Sequence, residues 1–134
     1  MPKEWNASFS VSVKKFDDQH KRIFELLNQL HESMKAGTSI TVIGEILHSL
    51  LAYTETHFVE EENLMMANGY PGIDRQKAQH RILLDKVLEL QQKYQTSFEL
   101  VSLSMLSFLY DWLVNHIKVE DKQYAQFFNA KGIF

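Results

Sequence analysis

Cysteine is absent from the 134-residue sequence. That absence removes disulfides, thiolate metal sites, iron–sulfur clusters and cysteine nucleophiles together, so any bound metal must sit among histidine and carboxylate. An excess of positive charge is lacking too. With 14 basic against 17 acidic residues there is no basic stripe, and neither nucleic acid nor an anionic membrane is expected as a partner. Long hydrophobic runs are also missing. Met1-Pro2-Lys3-Glu4-Trp5 has no apolar signal region, and the most apolar window, Leu100 to Val114, is interrupted by Ser102, Ser104, Ser107 and Asp111. These absences lead to the expectation of a cytoplasmic chain, with no segment that points to a particular protein partner. A composition of 45% hydrophobic and 23% charged residues suits one globular domain over residues 1–134 with one core.

The apolar residues that are present repeat at helical spacing. Residues 1–16 are the exception: Trp5, Phe9, Val11, Val13 and Phe16 alternate weakly, which reads as an extended N-terminal arm. Asp17-Asp18 then offers a helix cap, and His20, Ile23, Phe24, Leu27, Leu30 and Met34 follow at three- and four-residue steps until Gly37. A second helix, capped at Thr38-Ser39 or Thr41, carries one wide apolar face from Val42 to Met65, with Thr54, His57 and Glu61 on it, and stops near Asn68-Gly69. Asp74 can cap a third, which runs to about Tyr94; Thr96-Ser97 break the chain, and a fourth continues from Leu100 through Phe127 until Gly132 ends the order. Four helices joined by loops this short make an all-α, antiparallel up-down-up-down four-helix bundle over residues 17–134.

Three stretches and a single histidine carry the candidate chemistry. His57-Phe58-Val59-Glu60-Glu61 places an imidazole and a carboxylate four residues apart, on one helix face. Gln76 and His80 have the same spacing, His116 is followed by Glu120-Asp121, and His20 opens the first helix. Counting back from the short loops sets His20 opposite His57, Glu61 beside His80 and Gln76 beside Ile117, so the candidates share one layer. Burying four imidazoles and two carboxylates without a partner would be heavily penalised, and a metal removes that penalty. Six ligands exceed the four of a structural zinc site, and two metals sharing the carboxylates fit the count better. On an ideal helix Glu120 shares the face of His116, whereas Asp121 lies about 140° round.

The order and spacing of these motifs resemble the hemerythrin family, in its bacterial form. The matching residues are Trp5 and the arm, Asp17-Asp18-Gln19-His20-Lys21, His57-Phe58-Val59-Glu60-Glu61-Glu62, Gly69-Tyr70-Pro71, Lys77-Ala78-Gln79-His80, and Asp111-Trp112-Leu113-Val114-Asn115-His116-Ile117 through Asp121 and Tyr124. The resemblance implies a cofactor of two iron ions with an oxo or hydroxo bridge: His20 and His57 on one iron, His80 and His116 on the other, Glu61 and Asp121 bridging. It selects Asp121 over Glu120, which a π-bulge would make possible by turning Asp121 inward. It also implies dioxygen as ligand, bound at the carboxylate-bridged pair for transport, storage or sensing, with no catalytic residue. An apolar pocket is expected from Ile23, Phe58, Trp112, Leu113 and Ile117.

The sequence departs from the family pattern at Gln76, where hemerythrins carry a further histidine. Its amide is a weak neutral ligand, or holds a water, and leaves a labile position at the second iron. That opening admits an alternative, a di-iron oxidase or peroxidase or a sensor of nitric oxide or redox state. His31 and His48 fall away from the layer, and Glu60, Glu62 and Glu120 read as solvated charges. Tyr124 either hydrogen-bonds near the carboxylates or packs.

Overall fold

The computed structural model describes residues 3–37, 40–96 and 103–134. Four long segments form as the periodicity requires: α1 (Lys14–Lys35), α2 (Ile40–Ala67), α3 (Ile73–Thr96) and α4 (Leu103–Asn115). A π-helical segment, His116–Asp121, follows α4 directly and continues into α5 (Lys122–Ala130), so the fourth rod of the bundle is three pieces rather than one regular helix. α1 packs against α2 and α4, and α2 against α3, with Leu27, Leu47, Leu50, Val87, Leu106 and Leu109 among the buried side chains between them. Among the described residues no strand forms, and no helix is long and apolar enough to cross a membrane.

The arm differs from the extended segment expected over residues 1–16. Ala7–Phe9 is a short 3-10 turn, and α1 begins at Lys14, three residues early. Asp17 is therefore inside the helix and caps nothing. Its carboxylate instead accepts from the Val11 N–H at 2.8 Å and the Ser10 hydroxyl at 2.6 Å, folding the arm back so that Phe9, Val11 and Val13 are buried. Asn129 closes the same corner by donating to the Ser12 carbonyl at 3.0 Å.

Other helix ends are local. Asp74 sits in the first turn of α3, where its charge meets the positive end of the helix dipole, rather than at the cap. Gly69 has φ +69°, and the Tyr70 N–H reaches back to the Met65 carbonyl at 2.9 Å, a helix stop that only a residue at ease with positive φ makes cheaply. Order does not end at Gly132, since the Ile133 N–H donates to the Phe128 carbonyl at 2.9 Å. The expected caps Thr38, Ser39 and Ser97 lie outside the described residues.

Candidate metal centre

The short connections bring the four histidines into one layer. The His20 and His57 rings lie 4.7 Å apart, and the His80 and His116 rings 5.0 Å apart. Glu61 faces both pairs, with Oε1 3.1 Å from His57 Nε2 and 3.4 Å from His80 Nε2. Asp121 does the same from the other side, with Oδ1 3.0 Å from His116 Nε2 and Oδ2 3.3 Å from His20 Nε2. Two groups result, His20–His57–Glu61 and His80–His116–Asp121, each with three ligand atoms within 4.8 Å of one another and each able to hold a metal ion.

Asp121 owes its place to the π-helical turn. Hydrogen bonds from i to i+5 widen the helix, so residues five apart come round to one face and Asp121 points inward with His116. The same widening carries Glu120 out of the cluster, to a bidentate pair with Arg75 at 2.6 and 2.8 Å. It also changes the last register. Gln76 meets Asp121 instead of Ile117, donating from Nε2 to Oδ1 at 3.1 Å.

A second ring of residues orients the imidazoles. His57 Nδ1 donates to Gln19 Oε1 at 2.5 Å and His116 Nδ1 to Gln79 Oε1 at 2.9 Å. The opposite end of each glutamine donates to a carboxylate, Glu60 for Gln19 and Glu120 for Gln79. A carboxylate accepts only, so the amide cannot turn over; its oxygen must face the ring, the proton must sit on Nδ1, and Nε2 keeps its lone pair inward. Lys15 on Glu60 and Arg75 on Glu120 complete two matching sets at the surface. His80 Nδ1 donates directly to Glu62 at 2.8 Å. Of the four rings, His20 alone has no partner for its Nδ1 among the described residues.

Glu120, only 4% exposed, is thus not the solvated charge its sequence context suggests, whereas Glu60 and Glu62 stay half-buried and partly solvated while serving this ring. The overlooked signal is a repeat: Gln-His occurs at 19–20 and 79–80, each glutamine four residues after a cation.

The electrostatics are those of a dry cluster of opposite charges. Burial alone would raise both carboxyls. The facing imidazoles reverse this, holding Glu61 well below its ordinary value and Asp121 at about 2. Burial likewise disfavours charged His20, but Asp121 and Glu61 outweigh it and lift the ring to about 9. His57 stays below its ordinary value because burial wins. Tyr124 donates its hydroxyl to Glu61 Oε2 at 2.5 Å, and burial together with the Glu61 and Asp121 charges keeps it protonated.

Even so, among the described residues His20 Nε2, His80 Nε2, His116 Nε2, Glu61 Oε1 and Asp121 Oδ2 are buried without a hydrogen-bond partner, as is Gln76 Oε1. Imidazole and carboxylate atoms left bare at one point are the donor set that iron accepts.

Aromatic side chains wall the centre. Phe58 stacks on His80 with centroids 3.7 Å apart, and Trp112 on His116 at 4.4 Å. A small cavity of about 10 Å³ lies one turn away along the bundle, lined next to the imidazoles by Ile23, Thr54, Leu83 and Leu113. Leu27, Leu50, Val87 and Leu109 line it further on. Ile23 and Leu113 are where an apolar pocket was expected; Phe58, Trp112 and Ile117 are not among the lining residues. His48 is exposed and His31 is buried three turns from His20, both outside the two groups.

The Hemerythrin HHE cation binding domain model matches residues 11–128. The chain is 37% identical over 127 residues to a bacteriohemerythrin of Methylococcus capsulatus, covering 94% of this chain and 96% of that one. It is 35% identical over 126 residues to a hemerythrin of Sipunculus nudus, covering 93% and 92%. A crystal structure of wild-type hemerythrin superposes with a TM-score of 0.87 at 36% identity, covering 94% of this chain and 97% of the other.

Proposed function

This chain belongs to the hemerythrin family, and on that premise we propose that it is a non-heme iron protein binding dioxygen at an iron pair in its core, for transport, storage or sensing. His20 and His57 would hold one ion, His80 and His116 the other, with Glu61 and Asp121 shared between them. The observation that carries this reading is the set of bare, inward-facing atoms on these side chains, with each carboxylate facing an imidazole from both groups. A cytoplasmic setting belongs to the same proposal.

Iron held by these residues would supply the electrons that dioxygen takes up on binding and would take them back when dioxygen leaves. The protein's part is to orient and to exclude. Gln19, Gln79 and Glu62 hold three of the imidazoles with Nε2 inward. Tyr124 occupies one oxygen of Glu61 and leaves the other free. Phe58, Trp112 and the aliphatic lining keep water from the cluster, which slows proton delivery to a bound ligand.

The test is iron content per chain together with the visible spectrum of the reduced protein before and after air. Two irons and a ligand band that disappears when oxygen is removed are expected. One iron or none, or direct conversion to a stable ferric form, refutes reversible binding.

Gln76 favours a second reading. Its amide is 2% exposed, bonded to Asp121 on one side and bare at Oε1 on the other. A neutral amide in place of an imidazole leaves a labile position, suited to an oxidase, a peroxidase or a sensor of nitric oxide or redox state. Gln76→His is then expected to slow autoxidation; an unchanged rate removes this reading.

A further inference from the structure

Thr54 is fully buried on α2, one turn before His57, and among the described residues its hydroxyl has no hydrogen-bond partner. A threonine inside a helix ordinarily satisfies its hydroxyl on the carbonyl four residues back. Thr56, two residues on, does so, donating to the Ala52 carbonyl at 3.0 Å. Thr54 does not, and it lines the small cavity beside the imidazole layer, where every other lining side chain is aliphatic. A buried hydroxyl left bare is destabilising, whereas valine would fill the same volume without that penalty. The cavity, at about 10 Å³, has room for one water-sized group.

We propose that the Thr54 hydroxyl is a specificity-determining hydrogen-bond donor to a two- or three-atom ligand with acceptor lone pairs, of the class of dioxygen or azide, whose end atom reaches into this cavity from the imidazole layer. Ile23, Leu83 and Leu113, each one turn from a histidine, give the ligand no polar contact. Among the described residues Thr54 is the one polar side chain lining this space. It favours ligands that accept a hydrogen bond over apolar molecules of equal size. The inference deepens the oxygen-binding reading and rests on it.

The experiment compares the iron-loaded full chain with its Thr54→Val and Thr54→Ser variants. The readouts are dioxygen dissociation by stopped flow, the infrared stretch of bound azide, and the melting temperature of the metal-free protein. Thr54→Val is expected to speed dissociation by about five- to tenfold, the factor one neutral hydrogen bond is worth, and to shift the azide stretch. Thr54→Ser keeps a donor and should restore both. Unchanged dissociation and stretch in Thr54→Val, with a higher melting temperature, would overturn the inference while leaving the oxygen-binding reading intact. If the unsubstituted protein takes up no iron pair, or binds neither ligand, the reading fails and the inference falls with it.

Discussion

Replacing Tyr124 with phenylalanine isolates one contact at the centre. The Tyr124 hydroxyl donates to Glu61 Oε2 at 2.5 Å with both side chains fully buried. Phenylalanine keeps the ring that packs against Phe16 and Phe128, so the change removes one charge-assisted hydrogen bond and little else. Such a bond contributes about 1.5 to 3 kcal/mol. For a chain of this length that corresponds to a fall in melting temperature of roughly 5 to 10 °C. The assay is thermal unfolding of the chelator-stripped protein by circular dichroism, repeated in a double-mutant cycle with Glu61→Gln. Because the Glu61 carboxyl lies well below its ordinary value of 4.5, the stability it contributes is present above that value and is lost only at lower pH. The Tyr124→Phe penalty should therefore persist from neutral pH down through the usual carboxylate range. A drop smaller than about 2 °C, or a cycle with no coupling between the two positions, would refute the assignment of that contact.

Gln79→Leu deprives His116 Nδ1 of its acceptor and is expected to weaken metal binding by about 10- to 100-fold in a competitive cobalt titration; affinity within about twofold of the parent would show that Gln79 does not orient the ring. Leu113→Ala enlarges the apolar cavity and should cost about 2 to 5 kcal/mol in urea unfolding, with a smaller loss meaning that the site collapses to fill the space. In the metal-free protein, charged His20 contributes stability that is fully present below its ordinary value of 6.5 and disappears as pH rises through about 9, so the melting temperature should decline across that window; Asp121→Asn should flatten the decline, and a flat profile in the parent would count against the His20–Asp121 attraction.

The layer of candidate ligands was written in residue types and local spacing. With no cysteine, only nitrogen and oxygen donors were available, and the three- and four-residue steps of Ile23, Leu27, Leu30 and their counterparts defined four amphipathic rods. Short loops then forced consecutive rods antiparallel, and counting from the loops was enough to set His20 against His57 and Glu61 against His80. All of this follows from regular α-helical geometry, which is a property of the chain over one or two turns.

What tertiary structure alone decided lies where that regularity stops or where distant helices meet. The resemblance implies Asp121 over Glu120 and a π-bulge to turn it inward, against regular helix spacing; the π-helical turn at His116–Asp121 supplies that bulge, and it also sets Gln76 against Asp121 in place of the expected Ile117, because one extra residue in the turn breaks the spacing from which register was counted. Gln19 and Gln79 hold histidines on neighbouring helices, 38 and 37 residues away along the chain, a separation that no periodicity encodes. Asp17 looked like a cap and became the anchor of the arm, since α1 starts at Lys14 and leaves the Asp17 carboxylate free to hold the Val11 N–H. Thr54 was legible only as one more residue on a buried face; that its hydroxyl stands bare beside the imidazoles depends on how four helices pack around a space none of them defines by itself.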